Sequence, residues 1–189
     1  MTISTLPTPC FVIDSAKLNA NIQKMKLRAA QLGVPLRPHG KTPKCIEIGR
    51  KLASSGTGLC TSTLLEAERF FEGGINDLFY AVALTPQKAA RAARLLAKGC
   101  MLKCLIDDAG GLADIAEVAR KTKVTIPLVI EIAADDYRSG VPLRGSALSG
   151  LANAIADRDG LQLVGLMSYG GASYMCDVDE AAAWRSATA

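Results

Sequence analysis

The sequence predicts an α/β fold, a (β/α)8 barrel that runs to about seven strand–helix units, and three observations carry that reading. Short apolar runs alternate regularly with longer, Ala-rich amphipathic stretches, the pattern of a parallel sheet whose crossovers are helices. With 49% hydrophobic residues in 189, the chain can bury a sizeable core without metal or disulfide staples. Finally, no duplicated half signals the reversal of strand order that a doubly wound sheet would need, which favours the barrel.

Taken in order, the strand candidates are Cys10–Ile13, Pro35–Arg37, Gly58–Thr61, Leu78–Val82, Leu102–Ile106, Leu128–Ile132 and Leu163–Met167. Each is a short apolar run of the kind a two-sided buried strand presents. Helices are expected between them. Asp14 and Ser15 offer a cap at the start of Ser15–Leu32, and Gly73-Gly74 closes Thr63–Glu72 where a left-handed residue is needed. Pro86–Lys98, Gly111–Thr122 and Ser146–Asp157 complete the helical set, with a further helix expected over Asp179–Ala187. An eighth unit would need about 30 further residues, so the barrel is expected to be partial, a single domain over residues 1–189.

Composition excludes several classes of function. A formal net charge of +4, spread over 21% charged residues of both signs, makes no basic face for nucleic acid. Aromatic residues are only 5% of the chain, too few to supply stacking platforms for bases. Residues 1–10 contain no basic region followed by an apolar run, so a cytoplasmic location and no membrane partner are expected. The six cysteines form none of the close pairs that zinc sites use and read as reduced, mostly buried thiols.

Chemistry concentrates in Arg37-Pro38-His39-Gly40-Lys41-Thr42-Pro43-Lys44, a dense run of reactive groups just after a strand candidate. A lysine at the C-terminal mouth of a barrel, partly desolvated and flanked by Arg37 and Lys44, favours the neutral amine that attacks an aldehyde. Read without context, the same run is also an ordinary basic loop, and His39, the sole histidine, is also a structural residue. Glu66 and Glu68 open a helix, where the helix dipole alone accounts for them. Arg138 could hold two acceptors with its planar guanidinium or simply lie in a surface turn. Tyr169 precedes Gly170-Gly171 and reads either as a residue against a ligand ring or as a barrel-rim tyrosine.

The basic run is similar to the R-P-H-x-K-T-H-K motif of the D-threonine aldolase and D-serine dehydratase family, part of the alanine-racemase-like class of pyridoxal-phosphate enzymes. Thr8-Pro9 through Asp14, followed by Leu18 and Asn21-Ile22, resembles that family's opening strand and helix. Cys60 through Glu68 resembles its third strand and helix, Glu131 through Val141 its E-x-D-x-x-x-x-R-x-G-V motif, and Met167 through Tyr174 its seventh strand end. Two departures stand out: Pro43 replaces the motif's second histidine, and Ala133 replaces an aspartate.

The resemblance implies pyridoxal 5′-phosphate held as an aldimine on Lys41, with His39, Arg138 and Tyr169 among the cofactor-binding residues. It implies a lyase acting on D-configured β-hydroxy amino acids. An aldolase of this kind breaks the Cα–Cβ bond to give glycine and an aldehyde. A dehydratase removes the Cα proton and the β-hydroxyl, ending in a keto acid and ammonia. A divalent metal is implied only for a full-length form carrying a C-terminal β-domain, and a homodimer only by analogy. The alternatives are a single-barrel protein that holds the cofactor without turnover and an inactive fragment.

Overall fold

The computed structural model describes residues 2–54, 56–133 and 139–171, and the chain divides into two units, residues 1–37 and 38–189. In the first unit, one 3-10 turn (Ile3–Thr5) precedes helix α1 (Ser15–Gln31). The expected cap is present: Asp14 Oδ1 accepts from the backbone N–H groups of Ala16 (2.9 Å) and Lys17 (3.0 Å).

Two expected strands are not strands. Cys10–Ile13 is non-strand chain on which Phe11, Val12 and Ile13 are exposed. An apolar run becomes a strand only where a neighbouring strand pairs with it, and none does so here among the described residues. Residues 35–37 also lie outside any strand. The prolines at 35 and 38 contribute no N–H, so a ladder cannot propagate through this stretch.

The second unit holds a wholly parallel sheet of six strands: β1 (Leu59–Thr61), β2 (Asp77–Ala83), β3 (Met101–Ile106), β4 (Ile126–Ala133), the two-residue β5 (Val141–Pro142) and β6 (Leu161–Ser168). Neighbours run β1-β2-β3-β4, and β4 also pairs with β5 and β6. Each long strand thus lies beside the long strand before it, without the switch in order that marks a doubly wound sheet, as expected of a barrel. The crossovers are α3 (Leu64–Glu72), α4 (Pro86–Ala97), α5 (Leu112–Thr122) and α6 (Ala147–Ala156), all expected from the sequence, with boundaries differing by one or two residues. The expected helix over Asp179–Ala187 lies outside the described residues.

A further helix, α2 (Ile46–Ala53), was not foreseen. It spans only eight residues, short for a helix to stand alone, and carries Gly49 in its interior, although Glu47, Arg50, Lys51, Leu52 and Ala53 are good helix formers. Tertiary packing explains it: a Cβ on Gly49 would lie 2.7 Å from Cε1 of Phe70, so only glycine lets α2 sit this close to α3.

The sheet has two apolar faces. On the outer one Leu59, Leu78, Leu102 and Leu128 are fully buried and pack with Phe70, Ala92, Ile115 and Ile155 from the four crossover helices. Burying each leucine is worth roughly 1.5–3 kcal/mol, so this layer dominates stability. On the inner face Phe79, Leu105 and Val129 form a smaller cluster, joined by Cys60, Ala81 and Met167. Cys100 and Cys104 are buried, and burial pushes their thiols up to about 11 and about 12. Cys10 is exposed and Cys45 and Cys60 are half-buried, so the expected burial holds for Cys100 and Cys104 rather than for all.

After β4 the chain returns through Gly140, whose φ of +122° is a region that L side chains avoid and whose added Cβ would meet Ala133 N at 2.5 Å. Gly140→Ala is expected to destabilise the protein by about 1–3 kcal/mol, read as a lowered midpoint in urea. An unchanged midpoint would mean that the β4–β5 return is not held as seen.

Candidate active site

The lysine-bearing segment is tied to β1 by backbone. Cys60 N donates to Pro38 O and Gly40 N donates to Cys60 O, both at 2.8 Å, making His39 and Cys60 a single parallel bridge. Gly40 is required there, because a Cβ would lie 2.5 Å from Cε2 of Phe70. The turn closes with Lys44 N donating to Gly40 O at 3.1 Å, and Lys44 takes a left-handed φ of +43°. Lys41 lies in this turn with its side chain exposed. The expected partial desolvation is therefore absent, because the turn stands outside the apolar inner cluster rather than within it.

His39 joins the turn to the end of β1. Its Nδ1 lies 3.2 Å from the backbone nitrogen of Lys41, which donates to it, and its Nε2 lies 3.4 Å from Ser62 Oγ. Partial burial lowers its pKa below the ordinary histidine value; the Lys41 ammonium lowers it further, and Glu66 partly opposes both.

Glu66 holds the same corner together. It is 9% exposed, and its Oε2 accepts from Ser62 N (2.8 Å) and Thr63 N (3.3 Å), while Thr63 Oγ1 accepts from Glu66 N (3.0 Å). This is a reciprocal capping box at the start of α3. Its other oxygen, Oε1, lies 3.5 Å from Lys44 Nζ, so the Lys44 charge expected beside Lys41 is directed to Glu66. Glu68 is engaged elsewhere, accepting two bonds from Arg91 (2.9 and 2.6 Å) between α3 and α4. Arg91 holds the Glu68 carboxyl below its usual range. Glu66 and Ser62 are thus site residues that dipole reasoning had set aside or passed over. The Thr63-x-x-Glu66 spacing was the signal for one of them, whereas nothing local marks Ser62 as a partner of a residue 23 positions away.

Glu131 and Tyr169 lie at the same ends of other strands. Glu131, near the end of β4, is buried, and its Oε2 accepts from Ser139 Oγ at 2.9 Å. Arg138 itself lies outside the described residues. Tyr169 follows β6 directly and is half-buried. His39 and Lys41 sit beside β1 and Tyr169 beyond β6, with β2, β3 and β4 between them in the sheet order. His39 and Lys41 are in contact. A shallow cavity of about 310 Å³ lies elsewhere, lined by Arg50, Asn76 and Asp77 where β2 begins, at the opposite end of the sheet from these groups. Among the described residues no three His, Cys, Asp or Glu side chains are grouped to hold a metal ion. Among the same residues no helix is long and apolar enough to cross a membrane.

Residues 13–188 match the family described as alanine racemase, N-terminal domain. The chain belongs to this family. Within it, the chain is 36% identical over 181 residues to D-threo-3-hydroxyaspartate dehydratase of Delftia sp., an alignment covering 95% of this chain and 48% of that protein. The solved structure of that dehydratase superposes with a TM-score of 0.88 at 35% identity, over 97% of this chain and 50% of the other. D-threonine aldolase from Filomicrobium marinum gives the same TM-score at 29% identity, covering 98% and 50%. D-serine dehydratase of Dictyostelium discoideum is 30% identical, covering 92% and 47%. The chain spans about half the length of the curated relatives it matches. The TIM-barrel-like α/β fold of the family agrees with the barrel expected from the sequence.

Protonation of His39 is expected to cost stability. Its folded pKa is depressed, so the unfolded chain binds the proton more readily, and stability falls as pH drops from about 6.5 through the folded value. His39→Asn removes this group, so the difference in melting temperature between wild type and variant should change across that window and flatten below it. A difference independent of pH would mean that the imidazole gains nothing from folding neutral.

Proposed function

We propose that this chain carries the lysine-bearing, cofactor-holding barrel, a single domain over residues 1–189, of a pyridoxal-phosphate-dependent lyase acting on D-β-hydroxy amino acids. The observation that carries the reading is Lys41: a primary amine, open to solvent, in a turn fixed to β1 by two backbone hydrogen bonds. A surface lysine on a free loop would have no such anchorage. The relatives named above as dehydratases and aldolases of D-configured hydroxy amino acids support the same reading.

The donor set suits the cofactor. Lys41 supplies an accessible amine for its aldehyde, while His39, Arg138 and Tyr169 are the further groups assigned to holding it. Glu131 and Ser139 give the end of β4 a polar anchor, and Ser139 adjoins Arg138 in sequence. When bound, the cofactor would supply an electron sink for charge developing at the substrate α-carbon. The chain's own part is then to present an amine in one orientation, because accurate placement of a reacting group is worth several kcal/mol of barrier. Holding the cofactor without turnover is the second reading, favoured by Pro43 and Ala133, which stand where the resembling motifs carry histidine and aspartate. A divalent metal and a second copy of the chain belong to the first reading only.

Mixing the chain with pyridoxal 5′-phosphate is expected to give a visible absorbance band that borohydride traps on Lys41 and that Lys41→Ala abolishes. Glycine and aldehyde release from D-threonine or D-3-hydroxyaspartate would establish cleavage at Cα–Cβ, whereas ammonia and keto acid would establish dehydration. A band without either product would select the holding role, and a band indifferent to Lys41 would end the proposal.

A further inference from the structure

We infer that His39 is a positioning residue for Lys41: a neutral imidazole whose two nitrogens clamp the lysine turn to the end of β1. The reasoning begins with donor and acceptor roles. The Lys41 backbone N–H points at Nδ1 from 3.2 Å, and an N–H can only donate, so Nδ1 must be the bare nitrogen. The ring proton of the neutral form is then on Nε2, which faces Ser62 Oγ at 3.4 Å and donates to it. One tautomer satisfies both contacts, whereas a charged ring or the opposite tautomer would set two N–H groups against each other.

Both nitrogens are therefore engaged inside the protein, so the part of His39 in holding a cofactor runs through Lys41 rather than through a hydrogen bond of its own ring. What the ring does control is the backbone at Lys41. Ser62 in turn is fixed from behind, since its N–H donates to the buried Glu66 carboxylate at 2.8 Å. The chain of contacts runs from Glu66 through Ser62 and His39 to the lysine backbone, and it joins the turn to β1 and α3 independently of the His39–Cys60 bridge. The charged groups facing His39 are Lys41 and Glu66, with Lys44 paired to Glu66 on the far side. Protonating the ring would add a second cation beside Lys41 and remove the acceptor that holds its N–H.

That the clamped lysine serves a cofactor rests on the function proposed above, so the test separates the two. His39 is the sole histidine, and 15N-labelled histidine therefore reports one ring. In the full 189-residue chain without cofactor, near neutral pH, the ring should show the neutral Nε2-protonated pattern, and Ser62→Ala should move the Nε2 signal while leaving Nδ1 bare. Pyridoxal 5′-phosphate titrations then compare variants. His39→Phe, which fills the space without an acceptor, should weaken formation of the Lys41-dependent band about tenfold, the order expected for one lost hydrogen bond. His39→Asn, whose Oδ1 can stand where Nδ1 accepts, should recover to within about threefold of wild type. Should His39→Phe fail to fold, the 15N spectrum and His39→Asn decide. A charged ring, an Nδ1-protonated ring, or an Asn variant as impaired as Phe would overturn the inference. Absence of any Lys41-dependent band in the wild type would sink the proposed function instead, leaving the tautomer pattern to decide the clamp.

Discussion

The placement of Lys41 depends first on a single parallel bridge, the pair of backbone hydrogen bonds that ties residues 38–40 to Cys60 in the middle of β1. No regular strand precedes the lysine among the described residues, so without that bridge the turn holding Lys41 would lose its backbone tie to β1. The bridge is possible because Gly40 has no side chain where the Phe70 ring lies, and Phe70 is in turn fixed in the main core. A constraint that begins in the packing of α3 thus reaches the reactive amine through one missing Cβ.

Polar contacts add direction to that anchorage. A capping box ordinarily serves only its own helix, yet here the carboxylate of the α3 box is nearly buried and shared with the N–H of Ser62 and the ammonium of Lys44. One residue thereby ends a strand, starts a helix and steadies the opposite loop. Such sharing suits a rigid platform, because each hydrogen bond that terminates secondary structure also limits the motion of a site residue. The left-handed backbone at Lys44 shows the same tension, a locally costly conformation held by contacts on both sides.

The sheet explains why sites gather where they do. All strands are parallel, so their C-terminal ends share one edge, and His39, Glu131 and Tyr169 come to it from positions far apart in sequence. The inner apolar cluster beneath that edge is small, and the stabilising burial lies on the outer face against the helices. Residues at the mouth are accordingly free to answer to chemistry rather than to packing, the usual division of labour in barrels.

The crossover helices, the five longer strands and the cap at Asp14 were legible in the sequence, since each depends on local hydrophobic period and on side chains within three residues of the backbone they bond. Lys41 and its neighbours were legible too, as a motif. Three things were not. Cys10–Ile13 and residues 35–37 have strand-like composition but are not strands, because pairing is supplied by a partner and not by the run itself. Helix α2 forms despite its eight-residue length and interior glycine, because Gly49 permits close packing on Phe70. And the fate of the charges around Lys41, with Lys44 turned to Glu66 and His39 turned to Ser62, was settled by contacts spanning some 22 or 23 positions, which only the folded chain brings within hydrogen-bonding range. The sequence by itself determined which groups were available; tertiary structure decided which of them face one another, since electrostatic and hydrogen-bond energies depend on distances that no local pattern encodes.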